Sequence, residues 1–212
     1  DLSTTALSMG LMYAIVSVGS VALQRAVNGF GSTTIAAHTA ARKLDDIFML
    51  PLGTISMAAS TFASQNYGAG KYDRVKKGII TSILLAFVWS AISIVLVFVG
   101  SDFMVSALTG SNEKELLETA AFYIKINIPF FFMLSLLLVL RSSLQGIGRK
   151  IVPLCASAVE LVGKFAAVGF IAPALGYFGV CIIEPIIWTA CMFLVGVDFI
   201  VFIKKSKKMP QN

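Results

Sequence analysis

Residues 45–77 read DDIFMLPLGTISMAASTFASQNYGAGKYDRVKK, and this stretch decides the fold. Its apolar part, 47–67, is long enough for a bilayer crossing, which takes roughly 20 mainly apolar residues. It carries Pro51 inside it, a ladder of Ser, Thr and Gln along it, and then glycines at 68 and 70 followed by clustered cations. Thr54, Thr61 and Gln65 share one helical face, with Ser56, Ser60 and Ser64 on an adjacent row. Such a polar stripe is costly against lipid, so the stretch reads as a spanning helix that lines something polar. Pro51 removes a backbone donor and frees the carbonyl of Ile47, so a hinge is expected there.

Composition extends this reading to all 212 residues: 57% are hydrophobic and only 13% charged, with a mean hydropathy of +0.86. Soluble domains carry about 25% charged residues, so there is too little charge here to cover a water-facing surface. In lipid, long apolar runs must be helical because each satisfies its own backbone hydrogen bonds. Six windows fit: 7–27, 47–67, 79–99, 122–144, 152–173 and 179–203. The expected fold is an all-α membrane protein, a six-helix transmembrane bundle occupying 1–212 as one unit. The chain begins at Asp1, almost at once inside a span and without a basic leader or cleavage site, and is read as a fragment of a longer protein.

Orientation follows from the loop charges. Lys71, Arg74, Lys76 and Lys77, then Arg149 and Lys150, then Lys204, Lys205, Lys207 and Lys208 fall on one side of a six-span parse. The opposite connections carry Arg42, Lys43 and Lys114 against Asp45, Asp46, Asp102, Glu113, Glu115 and Glu118. Both ends are therefore expected in the cytoplasm. This rule alone accounts for the net charge of +6, so no nucleic-acid partner is needed.

Within the first span Tyr13, Ser17, Ser20, Gln24 and Asn28 recur at helical steps. They either face a wet cavity or serve as hydrogen-bonded glue between helices. The segment 101–121 reads as an outer loop with a short amphipathic helix, started by Ser111 or Asn112 with Glu115 available for a capping box. The fourth span holds Asn127 and Pro129, the aromatic run Phe130, Phe131 and Phe132, and Arg141 one turn inside its cytoplasmic end. Glu160 lies about nine residues into the fifth span, roughly 13 Å deep at 1.5 Å per residue, and Lys164 follows at i+4. An ionisable residue at that depth is a functional candidate, with a neutralised structural pair as the alternative. Glu184 is placed near outer water, and Asp198 against Lys204, Lys205 or the inner solvent.

His38, in a connection, reads as a packing or capping residue. Cys155, Cys181 and Cys191 read as buried thiols rather than a disulfide framework or metal site. No HExxH, GxSxG, cysteine–histidine pair or paired intramembrane aspartates occur, so an enzyme is not expected.

The segment NGFGSTTIAAHTAARKLDDIFMLPLGTISMAASTFASQNYGAGKYDRVKKG, 28–78, closely resembles the seventh and eighth spans of multidrug and toxic compound extrusion (MATE) transporters. LRSSLQGIGRKIVP, 140–153, resembles that family's tenth span and the loop after it. The resemblance implies the C-terminal lobe of a twelve-helix bacterial transporter in the cytoplasmic membrane, whose partners are the bilayer, a missing N-terminal lobe and small organic, often cationic, substrates. It implies antiport coupled to H+ or Na+, with no other cofactor. One branch carries acidic coupling residues at positions that align with Val16 and Leu134 here, so that pair does not carry over. Coupling then resides either in the absent lobe or in Glu160 with Lys164 and Arg141. A lipid-linked oligosaccharide flippase of a related group is the alternative. Such a cavity should be richer in cations than the mixed charges here.

Overall fold

The computed structural model describes residues 2–206, with the side chains of residues 2–6, 8, 9, 12 and 13 left aside. Every element in it is helical: α1 (Leu2–Val27), α2 (Ser32–Gly68), α3 (Tyr72–Thr109), α4 (Lys114–Asn127), α5 (Phe131–Gly146) and α6 (Ile151–Ser206), with single tight turns at Asn28–Phe30 and Ile128–Phe130. α4 and α5 run together through the turn that carries Pro129. By length and composition Ser32–Gly68, Tyr72–Thr109, Lys114–Gly146 and Ile151–Ser206 can each cross a membrane.

A straight helix of 56 residues would be about 84 Å long, far beyond a ~30 Å hydrocarbon core. α6 is not straight: Gly176 breaks it with φ 61° and ψ −144°, a conformation open in practice only to glycine. Contacts on either side of the break pair Lys164 with Glu184 and Cys191 with the Ala156 carbonyl. Pairs centred so near Gly176 mean that the two arms of α6 fold back antiparallel.

α2 packs against α3, α4 and α5, while α1 lies along α6. Leu52, Ile79, Ile124, Leu137, Leu144 and Ile183 are fully buried between them. The outward surface is as apolar as the interior, with Val99, Phe103 and Phe170 each about four-fifths exposed. That exterior is stable against acyl chains and not against water.

Three expectations are corrected. The segment before residue 47 is helix rather than connection, since α2 already starts at Ser32 after Gly31 (φ 91°). A hydropathy window ends at the first charges, but a helix ends where its backbone loses partners, and Arg42 and Asp45 are covered by other helices. The outer loop likewise shrinks to residues 110–113, because α3 continues to Thr109 past a local distortion at Gly100. The capping box does not form. α4 begins at Lys114 with Glu113 as an N-cap lacking a side-chain bond, and the Glu113 N–H donates instead to Ser111 Oγ at 3.2 Å.

α2 stays one helix through Pro51. Beside the carbonyl that proline leaves free, Trp89 Nε1 donates to the Phe48 carbonyl at 2.9 Å. This brings α3 onto α2 at that turn.

Candidate functional site

Five charged side chains from four segments form one ladder of alternating sign. Arg141 of α5 lies 3.3 Å from Glu160 Oε2, and Lys164 lies 3.2 Å from Glu160 Oε1. Lys164 also reaches Glu184 Oε1 at 3.4 Å, and Arg42 of α2 pairs with Glu184 Oε2. Arg42 further donates to the Tyr123 hydroxyl of α4 at 3.4 Å. Arg141, Glu160, Lys164 and Glu184 are all buried. Charges are held at such depth only where attraction and hydrogen bonds offset desolvation, and here each carboxylate engages two cations. The i+4 spacing on α6 aligns Glu160 with Lys164, and the Gly176 fold-back brings Glu184 to the same lysine. α1 contributes room: a Cβ at Gly19 would sit 2.8 Å from Lys164 Cδ.

The ladder joins two cavities. The larger, about 500 Å³, is bounded by Val16, Ser56, Leu134, Trp188 and their neighbours, with Arg141 and Glu160 in its wall. The smaller, about 240 Å³, is bounded by Ser20, Gln24, His38, Arg42, Lys43 and Asp46 among others. Val16 and Leu134, the positions where the resemblance expects acids, thus face the same space as Glu160.

Of the residues singled out in the sequence, Thr61, Arg141 and Glu160 line the larger cavity and Ser20 and Gln24 the smaller, with Lys164 buried between. Ser56 and Ser60 of the adjacent row also line the larger cavity, and the others lie elsewhere. Thr54 is exposed with its hydroxyl turned to the Leu50 carbonyl at 3.0 Å. Gln65, Ser17 and Asn28 are exposed, and Asn28 accepts from Gln24 at 3.2 Å. Asn127 is fully buried and donates to the Tyr123 and Cys181 carbonyls at 2.9 and 3.2 Å, tying α4 to α6. Tyr13 lies on α1 with its side chain outside the described set. Of the aromatic run, Phe131 is buried edge-on to Trp188 and Phe132 packs on Phe87, so Trp188 is the aromatic side chain that reaches the cavity.

Two placements are corrected. Glu184 does not face outer water: it is 3% exposed and bridges Arg42 and Lys164. Asp198 pairs with Arg149 through both carboxylate oxygens rather than with the terminal lysines. That bond holds the Arg149 guanidinium above its ordinary range.

Arg42, Asp45 and Glu184 escaped sequence reasoning. The available signal was the absence of Gly and Pro from 32 to 50, which allows one continuous helix. Arg42 and Asp45 then stand at i and i+3 on one face. Asp45 is 1% exposed, and neither of its carboxylate oxygens has a hydrogen-bond partner among the described residues. His38 is equally buried, 3.2 Å from the Tyr177 hydroxyl and edge-on to Tyr123.

The chain as a whole is similar to known proteins. A family model described as MatE matches residues 9–170. The chain is 24% identical over 198 residues to the probable multidrug resistance protein YoeA of Bacillus subtilis (strain 168), covering 92% of this chain and 42% of that protein. Among solved structures it resembles the outward-facing conformation of a multidrug resistance MATE family transporter of the MOP superfamily (TM-score 0.84, 17% identity, 96% of this chain and 46% of that one). It resembles an inward-facing conformation of such a transporter about equally (TM-score 0.82, 16% identity, 96% and 47%). The chain thus spans less than half the length of the relatives it matches.

Proposed function

The chain belongs to the MatE family, and on that premise we propose that it is one lobe of a two-lobed transporter that exports organic compounds across a bacterial cytoplasmic membrane by cation-coupled antiport. Its six apolar segments cross the bilayer with both ends in the cytoplasm, and a second, N-terminal lobe completes the substrate path. The carrying observation is the larger cavity: apolar walls from Val16, Leu134 and Trp188, with the Arg141–Glu160 pair set among them. Such a space takes an amphiphile with an apolar body and a charged group. Trp188 offers a cation a π face, and Glu160 a carboxylate that becomes available when its own cations let go.

Similar agreement with inward- and outward-facing relatives supports a lobe that moves as a unit, so that access alternates by rocking one lobe against the other. The mixed charge of the cavity wall favours a drug exporter over a flippase for pyrophosphate-linked sugars.

The test is efflux by the complete reading frame in a bacterial host deprived of its own exporters. Expression should lower the accumulation of rhodamine 6G, an organic cation, and a protonophore should restore it. Unchanged accumulation with the protein present in the membrane would refute the reading. Movement of lipid-linked oligosaccharide instead would turn it toward the flippase.

A further inference from the structure

Buried carboxylates are ordinarily paired or hydrogen-bonded, because a bare one is too costly away from water. Asp45 is neither. The charged groups whose fields reach it are Arg42 and Asp46 on its own helix and Glu184 on α6, with the Tyr123 hydroxyl of α4 beyond Arg42. His38, one turn before Arg42, is turned toward Tyr123 and Tyr177. Arg42, the cation three positions back on the same helical face, is engaged by Glu184 instead. The arrangement is therefore that of a buried, unpartnered carboxyl group beside a committed ion pair.

We propose that Asp45 is a proton-binding site, and that the ladder Arg42–Glu184–Lys164–Glu160–Arg141 transmits its charge state to the larger cavity, so that a proton at Asp45 and an organic cation at Glu160 exclude each other. This rests on the exporter reading above and names the residue in this lobe that takes the coupling ion. Only one lone pair is needed for a proton, and Asp45 offers it.

With the proton on, the contacts are those observed: Arg42 on Glu184, Lys164 shared, and both Glu160 oxygens taken by Lys164 and Arg141. The carboxylate of the larger cavity is then neutralised and a cationic substrate is released. With the proton off, the Asp45 carboxylate, one turn from Arg42, draws the guanidinium away from Glu184. Glu184 compensates by taking Lys164, and Glu160 Oε1 is left open to a cation in the cavity. The sign is that of antiport. The smaller cavity, lined by Arg42 and Asp46, opens beside the Arg42 end of the ladder.

The experiment measures rhodamine 6G binding to the complete protein in lipid nanodiscs across the neutral and mildly acidic range. Wild type should lose affinity on acidification by about tenfold, the usual size of a coupling between two sites. Asp45→Asn, an isosteric mimic of the neutral acid, should bind weakly at every pH. Glu184→Gln should also lose the pH response, though Asp45 is intact, and Asp45→Glu should restore it. Infrared difference spectra of wild type should show a protonated-carboxyl band disappear as rhodamine 6G binds, a readout independent of any variant's folding. Asp45→Asn with the wild-type pH response, a binding response to sodium rather than protons, or no loss of the carboxyl band would each overturn the proposal. Wild type that binds no rhodamine 6G at any pH would instead defeat the exporter reading, and this inference with it.

Discussion

Arg42 and Glu184 stand 142 positions apart in the chain and form one ion pair between α2 and the C-terminal arm of α6, its carboxylate buried and its guanidinium half-buried. Among the described residues Glu184 is what ties Arg42 to the ladder, and Lys164 leans on the same carboxylate.

Removing that carboxylate takes the partner from Arg42 and leaves the buried Lys164 with Glu160 alone. Glu184→Gln should cost about 3–5 kcal/mol, the usual penalty for breaking a buried pair from one side. Asp198→Asn removes a partner from the part-exposed Arg149 with no second, buried cation behind it, and the loss should stay within about 1 kcal/mol. Thermal unfolding of the two variants in the same detergent checks the contrast, and equal losses would contradict it.

Gly146 sits where α5 meets α2 so closely that a Cβ would lie 2.6 Å from the Ser60 carbonyl oxygen and 2.7 Å from its hydroxyl. Gly146→Ala should therefore push the two helices apart at the cavity's inner rim and cost about 1–3 kcal/mol. Gly53 lines the same cavity with nothing near its missing Cβ, so Gly53→Ala should be neutral or stabilise by up to about 1 kcal/mol through helix propensity. Melting temperatures that rank the two the other way would show that the close approach is not rigid.

Pro51→Ala restores a backbone donor for the Ile47 carbonyl at the proposed hinge. The expected result is a more stable protein with slower rhodamine 6G efflux, the trade that follows when a flexing point is stiffened. Faster or unchanged efflux, read in cells at matched expression, would mean that α2 does not bend there.

Cys155 is exposed near the start of α6, against the expectation of a buried thiol, because it lies on the outward face of that helix, whereas Cys181 and Cys191 are buried as expected, with Cys191 turned to the Ala156 carbonyl at 3.4 Å. A membrane-permeant maleimide should label Cys155 first and the other two only after denaturation. The proposed orientation adds that an impermeant maleimide reaches Cys155 in inside-out vesicles and not in intact cells. Labelling from outside would invert the topology.

The helical class was legible in the sequence because lipid leaves a long apolar run no other way to satisfy its backbone. Glu160 with Lys164 and Arg141 was legible too, since depth and i+4 spacing are local properties. Arg42, Asp45 and Glu184 were not. Their burial depends on which helices cover them, and that is set by the Gly176 fold-back and by α2 extending beyond its apolar window. Asn127 shows the converse: its polar side chain in a span suggested a pathway, yet it fastens α4 to α6 through two carbonyls.

The fold-back at Gly176 also bears on how the chain is made. A ribosome delivers Glu160 and Lys164 to the membrane well before Glu184, so the first arm of α6 enters the insertion machinery with its lysine only half compensated. Insertion of the two arms as a hairpin would seat Glu184 on that lysine before either meets acyl chains, lowering the toll on both. A bulkier residue at the bend would then be felt during biogenesis, as protein that never reaches the membrane, rather than as a slow transporter.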